Sequence, residues 1–289
     1  MSPFRRPFVA GQFYERDAEA LKLQITSCFL NNLGPKKIPK ITSIKNPTRK
    51  IIGLICPHAG YMYSGMSAAW GFSELALDGL PKTVIILGPN HTGYGSGISL
   101  MREGIWQTPL GNIQIDTQIA DELLSKTDIL DVDETAHRFE HSIEVQLPFL
   151  QYLYGNQFKI VPICFLMQDY TSAIEIGNTL YETLATRNDD AIVIASSDMS
   201  HYEPAKQTTK KDLAAIDAIT ALDAQQLYET IETQNISICG PAPITALITF
   251  AKKFNAKTQL LSYHNSGDIS GNYSNVVGYT SILFKNPNT

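Results

Sequence analysis

The strongest constraint on this chain is an alternation of pattern. Short apolar runs lie at Ile51–Cys56, Thr83–Leu87, Phe158–Phe165, Ala191–Ala195, Thr258–Ser262 and Val276–Phe284. Amphipathic stretches lie between them, near 65–79, 116–126, 141–153, 170–186, 205–233 and 241–253. A further helical spacing marks 16–32, through Ala18, Leu21, Ile25, Phe29 and Leu30. A strand without a polar side needs cover on both faces, and intervening helices supply it. The alternation predicts an α/β layered fold with a mainly parallel or mixed central sheet flanked by helices. No repeat, low-complexity tract or dividing linker interrupts it, so residues 1–289 are read as a single domain.

Chemistry-bearing residues follow directly after these runs. Ile51–Cys56 leads into Pro57-His58-Ala59-Gly60-Tyr61, and Leu87 into Gly88-Pro89-Asn90-His91. Ala195 leads into Ser196-Ser197-Asp198-Met199-Ser200-His201. A fourth short run, Ile236–Ile238, leads into Cys239-Gly240-Pro241. In open α/β sheets, ligands bind outside the C-terminal ends of the strands. One histidine after one strand is usually a turn residue. The same placement at His58, His91 and His201 points to a shared crevice.

Two imidazoles with a thiolate or carboxylate make a metal set. Imidazole suits Zn, Cu, Fe and Ni, and thiolate adds a preference for softer ions. His58 and His91 are candidate ligands, with Cys239 or Asp198 as the third, which leaves positions open for water or substrate. His201 is a candidate acid or base beside them. Tyr61 can shape the pocket.

A competing pattern is His137-Arg138-Phe139-Glu140-His141, which spells H-x-x-E-H, an inverted zincin signature. On a helix it would put two imidazoles on one face, with Glu140 as base, and make the protein a zinc-dependent hydrolase. The pattern is short enough to arise by chance, and the preceding Asp-Val-Asp-Glu-Thr resembles a loop. His141 and Glu144, at i and i+3, are then expected to line the pocket or to orient its ligands. Walker A and G-x-S-x-G motifs are absent, and Gly93–Gly97 does not fit a dinucleotide fingerprint.

Charge and cysteine usage narrow the partners. The formal net charge of −5 disfavours nucleic acid, which needs a basic footprint. The cysteines, at 28, 56, 164 and 239, show no CxxC spacing and read as reduced thiols of a cytoplasmic protein. No apolar run is long enough for a membrane span, and the first residues lack a signal-peptide core. The stretch 34–50 holds three prolines, six Lys/Arg and no acid, and is expected to be a solvated basic loop.

Several motifs together resemble the Memo family, known in microbes as AmmeMemoRadiSam system protein B. They are Arg6-Pro7-Phe8-Val9-Ala10-Gly11-Gln12-Phe13-Tyr14, Pro57-His58-Ala59-Gly60-Tyr61, Leu87-Gly88-Pro89-Asn90-His91, Glu140-His141-Ser142-Ile143-Glu144, Ser196-Ser197-Asp198 with His201, and Cys239-Gly240. The resemblance implies a fold like the class III extradiol dioxygenases. It also implies one metal ion on His58, His91 and Cys239, with Asp198 and His201 completing the active site. It favours Fe(II), with Cu or Zn as alternatives, and a radical SAM protein and an AMMECR-type protein as partners. A cysteine in place of the dioxygenase carboxylate sets this chain apart from ring-cleaving enzymes. The readings that follow are an oxygen-dependent redox enzyme acting on a small-molecule or peptide ligand, a non-enzymatic binding or signalling protein on the same fold, and a zinc hydrolase.

Overall fold

The computed structural model describes residues 3–41, 49–185 and 190–287. Its strands are β1 Phe4–Arg5, β2 Ile51–Cys56, β3 Thr83–Pro89, β4 Ile98–Leu100, β5 Ile105–Thr108, β6 Gly111–Ile115, β7 Asp131–Val132, β8 Lys159–Phe165, β9 Ala191–Ser196, β10 His201–Glu203, β11 Lys257–Asn265 and β12 Val276–Lys285. Its helices are α1 Ala18–Leu30, α2 Tyr61–Asp78, α3 Thr117–Leu124, α4 Leu147–Tyr154, α5 Tyr170–Leu184, α6 Ala205–Thr220, α7 Ala224–Gln234, α8 Pro241–Lys253 and α9 Gly267–Ser270.

The strands form one sheet in the order β1-β5-β6-β8-β3-β9-β2-β12-β10, with β11 on β12 and β4 on β8. Its centre, β6-β8-β3-β9-β2, is parallel. β12 joins β2 antiparallel, and β11 joins β12 in the same sense. The sheet is therefore mixed around a parallel core, as the alternation predicts, and all six apolar runs are strands.

The two faces follow the period of two along β3, β8 and β9; β2 does so from Leu54 onward, past a register shift against β12 at Ile51–Gly53. Ile52, Ile55, Ile85, Leu87, Val161, Ile163, Val193 and Ala195 belong to the cluster that includes buried residues of α5 and α8. Leu54, Cys56, Val84, Ile86, Ile160, Ile192 and Ile194 belong to the other, with buried residues of α1, α2 and α4. Both faces are covered, so neither side of these strands needs polar residues.

Three local expectations are revised. The stretch 205–233 is two helices, broken where Leu222 takes a left-handed φ of 56° and the Asp223 side chain caps Gln226 N. Residues 141–153 begin irregularly, then form a 3-10 turn at Glu144–Gln146 before α4. Ile236–Ile238 is not a strand, because it is confined between the left-handed Asn235 ending α7 and Pro241 starting α8. Of the basic stretch 34–50, residues 42–48 lie outside the described residues; its described parts carry no helix or strand.

One glycine is fixed by close approach. A Cβ on Gly88, near the end of β3, would lie 2.5 Å from Ser142 Oγ, whose hydroxyl donates to Pro89 O at 2.8 Å. The end of β3 and the 140–144 segment are thereby in direct contact.

The same segment holds the N-terminus. The Glu144 side chain is fully buried and pairs with Arg5 Nη1 at 2.5 Å. It also accepts from Phe8 N, Val9 N and, at 2.5 Å, Tyr14 OH. Arg5 donates further to His137 O at 2.9 Å and Glu140 O at 2.6 Å, and its guanidinium lies 4.3 Å from the Trp106 ring centre. Removing one partner of a buried pair strands the other charge, at a cost of about 3–5 kcal/mol. Glu144→Gln should therefore lower unfolding stability by that order in urea titration and release amide protection at Phe8 and Val9 in hydrogen exchange. Unchanged protection there would refute the clamp.

Candidate metal centre

Three adjacent parallel strands deliver the site at one level. His58 lies two residues past the end of β2, His91 two past β3, and Asp198 two past β9, and these strands are neighbours in the order β3-β9-β2. His141 reaches the same point from the segment before α4. His58, His91 and His141 offer one donor atom each within 4.8 Å of one another. Their ring centres are 5.2 Å (His58–His91), 5.4 Å (His58–His141) and 4.6 Å (His91–His141) apart. The three imidazoles form a group that can hold a metal ion.

Cys239 arrives from the turn before α8. Its Sγ lies 3.1 Å from His58 Nε2 and accepts from Asp198 N at 3.2 Å. Asp198 Oδ1 accepts from His58 N at 2.7 Å and Ala59 N at 3.3 Å, and so shapes the turn that presents His58. His201, at the start of β10, is held by Ser237: its backbone N donates to Ser237 Oγ, and its Nδ1 lies 2.7 Å from Ser237 O. A carbonyl only accepts, so Nδ1 carries the proton and Nε2 is left as a base in the neutral ring.

The hydrogen-bond network also sets the tautomers of the triad. Ser196 Oγ donates to Ser142 O at 2.6 Å and accepts from Gln146 Nε2 at 2.8 Å. Its one proton is thus committed, so the 3.0 Å contact with His58 Nδ1 is a donation from the imidazole. His91 Nδ1 donates to Glu140 Oε1 at 2.9 Å, and His141 Nδ1 lies 3.3 Å from the same oxygen. With Nδ1 so engaged in His58 and His91, Nε2 of each keeps its lone pair. That is how metal-binding histidines are commonly oriented.

Electrostatics keep His58 and His141 neutral. Burial, with His141, His91 and His201 nearby, holds His58 well below the usual histidine range. Burial lowers His141 to about 4, against an opposing pull from Glu140. Burial alone would raise Glu140, but hydrogen bonds and charge from His91, the His141 charge and the Ser142 amide bring it to about 2. Glu140 is therefore an ionised anchor shared by two imidazoles. Burial raises Asp198 to about 6, against the amides of His58 and Ala59. Burial likewise pushes the Cys239 thiol up, so Cys239 is protonated unless a cation stabilises its thiolate.

The H-x-x-E-H reading fails on geometry. Residues 137–141 form no α-helix, and His137 ends a 3-10 turn. Its ring is fully buried edge-on to Trp106, with centres 5.8 Å apart and neither nitrogen in a hydrogen bond. Glu140 buttresses imidazoles instead of facing water as a base. Glu144 and Tyr61 do not line the pocket either: Glu144 clamps the N-terminal segment, and Tyr61 is buried with its hydroxyl donating to Val145 O at 2.6 Å. Sequence reasoning did not find the roles of Ser196, Gln146 and Glu140 as supports, nor Phe13, whose ring centre lies 4.7 Å from that of His141. The Glu140-His141-Ser142 motif was visible, but nothing in it says which side chain meets which strand end.

Comparison with known proteins gives the family. The Memo-like protein profile matches residues 5–283. The chain belongs to the Memo-like family. A MEMO1 family protein of Sulfolobus acidocaldarius is 48% identical over 280 residues, spanning 97% of this chain and 99% of that protein. One from Methanopyrus kandleri is 47% identical over 282 residues, spanning 97% and 99%. Among solved structures, an uncharacterized protein of Escherichia coli K12, JW3007, shares the fold with a TM-score of 0.53 and 13% identity, over 81% of this chain and 99% of that one. Among the described residues, no helix of this Memo-like chain is long and apolar enough to cross a membrane.

The neutral, buried histidines set a pH dependence. His137 is lowered to about 3, first by burial and then by the Arg5 charge, and His141 to about 4. Both values lie below the ordinary 6.5, so the unfolded chain takes up these protons first. The stability they contribute is complete above about pH 6.5 and is lost as pH falls towards 4, at up to about 1.4 kcal/mol per pH unit for each group. Urea midpoints of metal-free protein should fall over this window. His137→Phe, which keeps the ring against Trp106, should flatten the decline; an unaltered slope would contradict the assignment.

Proposed function

We propose that this Memo-like protein holds one metal ion between His58, His91 and Cys239, with His141 beside them as a further donor, and performs oxygen-dependent redox chemistry. One observation carries the reading. With Nδ1 engaged by Ser196 and Glu140, His58 and His91 turn Nε2 towards the centre, and the Cys239 sulfur stands 3.1 Å from His58 Nε2, a spacing that lets both atoms face a common ion. The donor set of imidazoles and one thiol suits iron, copper or zinc, and the family resemblance favours Fe(II) among them. When bound, such an ion supplies one-electron and oxygen chemistry at a position the protein leaves open.

The chain's own groups do the rest. Ser196 and Glu140 fix ring orientation from behind. The His91 side chain is 34% exposed and that of His141 20%, so a small-molecule or peptide ligand can approach from their side. His201, protonated on Nδ1 by its bond to Ser237 O, offers Nε2 to take a proton from the ligand and return it. Asp198 holds the backbone of His58 and, near neutrality, can itself exchange a proton.

Metal analysis of protein purified without oxygen tests the centre. Near-stoichiometric iron or copper is expected in the wild type, with a marked loss in both His58→Ala and Cys239→Ser. His141→Ala separates the donors: retained metal makes His141 a pocket residue, and lost metal makes it a ligand. His201→Ala should keep the metal and lose oxygen consumption. A chain that takes up no metal on titration would overturn the redox reading and leave a binding protein.

A further inference from the structure

We propose that an open groove next to the metal centre docks an acidic segment of a partner protein that carries an aromatic or leucine side chain between its carboxylates. The groove has a volume of about 620 Å³. Residues 4–8 form one wall, and Glu134, Thr135, Arg138 and Phe139 form the other, with Met101.

Its apolar part is exposed. Phe4, Phe8 and Phe139 are 47%, 46% and 40% accessible. They are not scattered: the ring centres of Phe8 and Phe139 are 5.3 Å apart, and Tyr94, 57% accessible, lies 6.4 Å from Phe139. A contiguous exposed aromatic patch marks an interaction surface, and aromatic residues with arginine are the side chains that dominate binding energy at protein interfaces.

Its charge selects the partner. Arg5 is neutralised by Glu144 within the fold. Arg6 and Arg138 are exposed and have no carboxylate partner among the described residues. Arg138 lies over the Phe139 ring at 5.1 Å, which holds its guanidinium at the rim of the aromatic patch. Glu134 is the single carboxylate among the lining residues, so two free guanidinium groups face one acid. On a chain with net charge −5, this is a local reversal of sign. Guanidinium groups pair with carboxylates bidentately, and a basic rim rejects a basic segment.

Openness favours a peptide over a small molecule. Small-molecule sites enclose most of their ligand, whereas these rings stand nearly half in solvent. β1, which contributes Phe4 and Arg5, is the terminal strand in the sheet order, and among the described residues it pairs only with β5, which leaves its other edge for an extended segment. The place is also suited to communication with the centre. Arg138 and Phe139 directly precede Glu140, the anchor of His91 and His141. The docking site stands on its own residues and does not require the centre to hold a metal.

Fluorescence anisotropy with a labelled peptide of sequence Glu-Glu-Phe-Leu-Glu-Glu tests the assignment on the full chain. Saturable binding that weakens with added salt is expected. The double variant Arg6→Ala/Arg138→Ala should weaken it by about tenfold or more, and Phe139→Ala by a similar factor. All three side chains are exposed, so urea midpoints and metal content should stay at wild-type values. Failure to bind up to about 1 mM, equal binding of the peptide with Lys for Glu, or unchanged affinity in the double variant would each overturn the proposal. Displacement by phenylacetate at equal affinity would also overturn it, in favour of a small aromatic anion.

Discussion

The buried ion pair between Arg5 and Glu144 is the constraint on which the site depends. It joins two segments 139 residues apart in sequence and sits where water does not compensate either charge. Glu144 also takes the amides of Phe8 and Val9, while Arg5 takes the carbonyls of His137 and Glu140. The N-terminal segment and the 137–144 segment therefore form one unit. Such a pair adds little net stability over an apolar substitute, but losing half of it is costly. Its effect is to define one geometry. That geometry sets the depth of Glu140 and His141 against the strand ends and lays Phe13 on the His141 ring.

The metal centre is built from outside inward. Glu140 serves two imidazoles and draws amides from His91, His141 and Ser142. Ser196, the last residue of β9, links His58 to Ser142 and Gln146. The Ser196 proton is committed elsewhere and Glu140 is ionised, so His58 and His91 are fixed in tautomer as well as in position. Burial then keeps His58 and His141 neutral. These conditions suit cation binding, and they follow from hydrogen-bond capacities alone.

Much of this was legible in the sequence. The six apolar runs became strands because a short apolar segment with helices on either side has few other solutions. The placement of His58, His91 and Asp198 after three of those runs followed from the rule that parallel sheets gather function at their C-terminal ends. The readings that failed lacked such a rule. Ile236–Ile238 is apolar, but it has too little chain between two helix ends to pair with anything. His137 and Glu140 match a zinc signature, yet that signature presupposes a helix, and this backbone turns instead. Glu144 was expected to line the pocket or orient its ligands through an i, i+3 relation to His141; no α-helix joins the two, and Glu144 acts on the 137–140 segment through Arg5 instead.

Local periodicity and turn chemistry act over a few residues, so the layered α/β architecture, the strand-end level of the histidines and the family can be read along the chain. Which groups meet is a matter of tertiary packing. His141 joins His58 and His91, Cys239 reaches His58 from a helix start, and Glu140 turns inward. Among the described residues, Arg6 and Arg138 are left without carboxylates beside a patch of exposed rings. These are contacts across dozens to well over a hundred residues of chain. They are fixed by packing, by the register of the sheet, and by the need of each buried polar atom for a partner. No spacing along the chain encodes them.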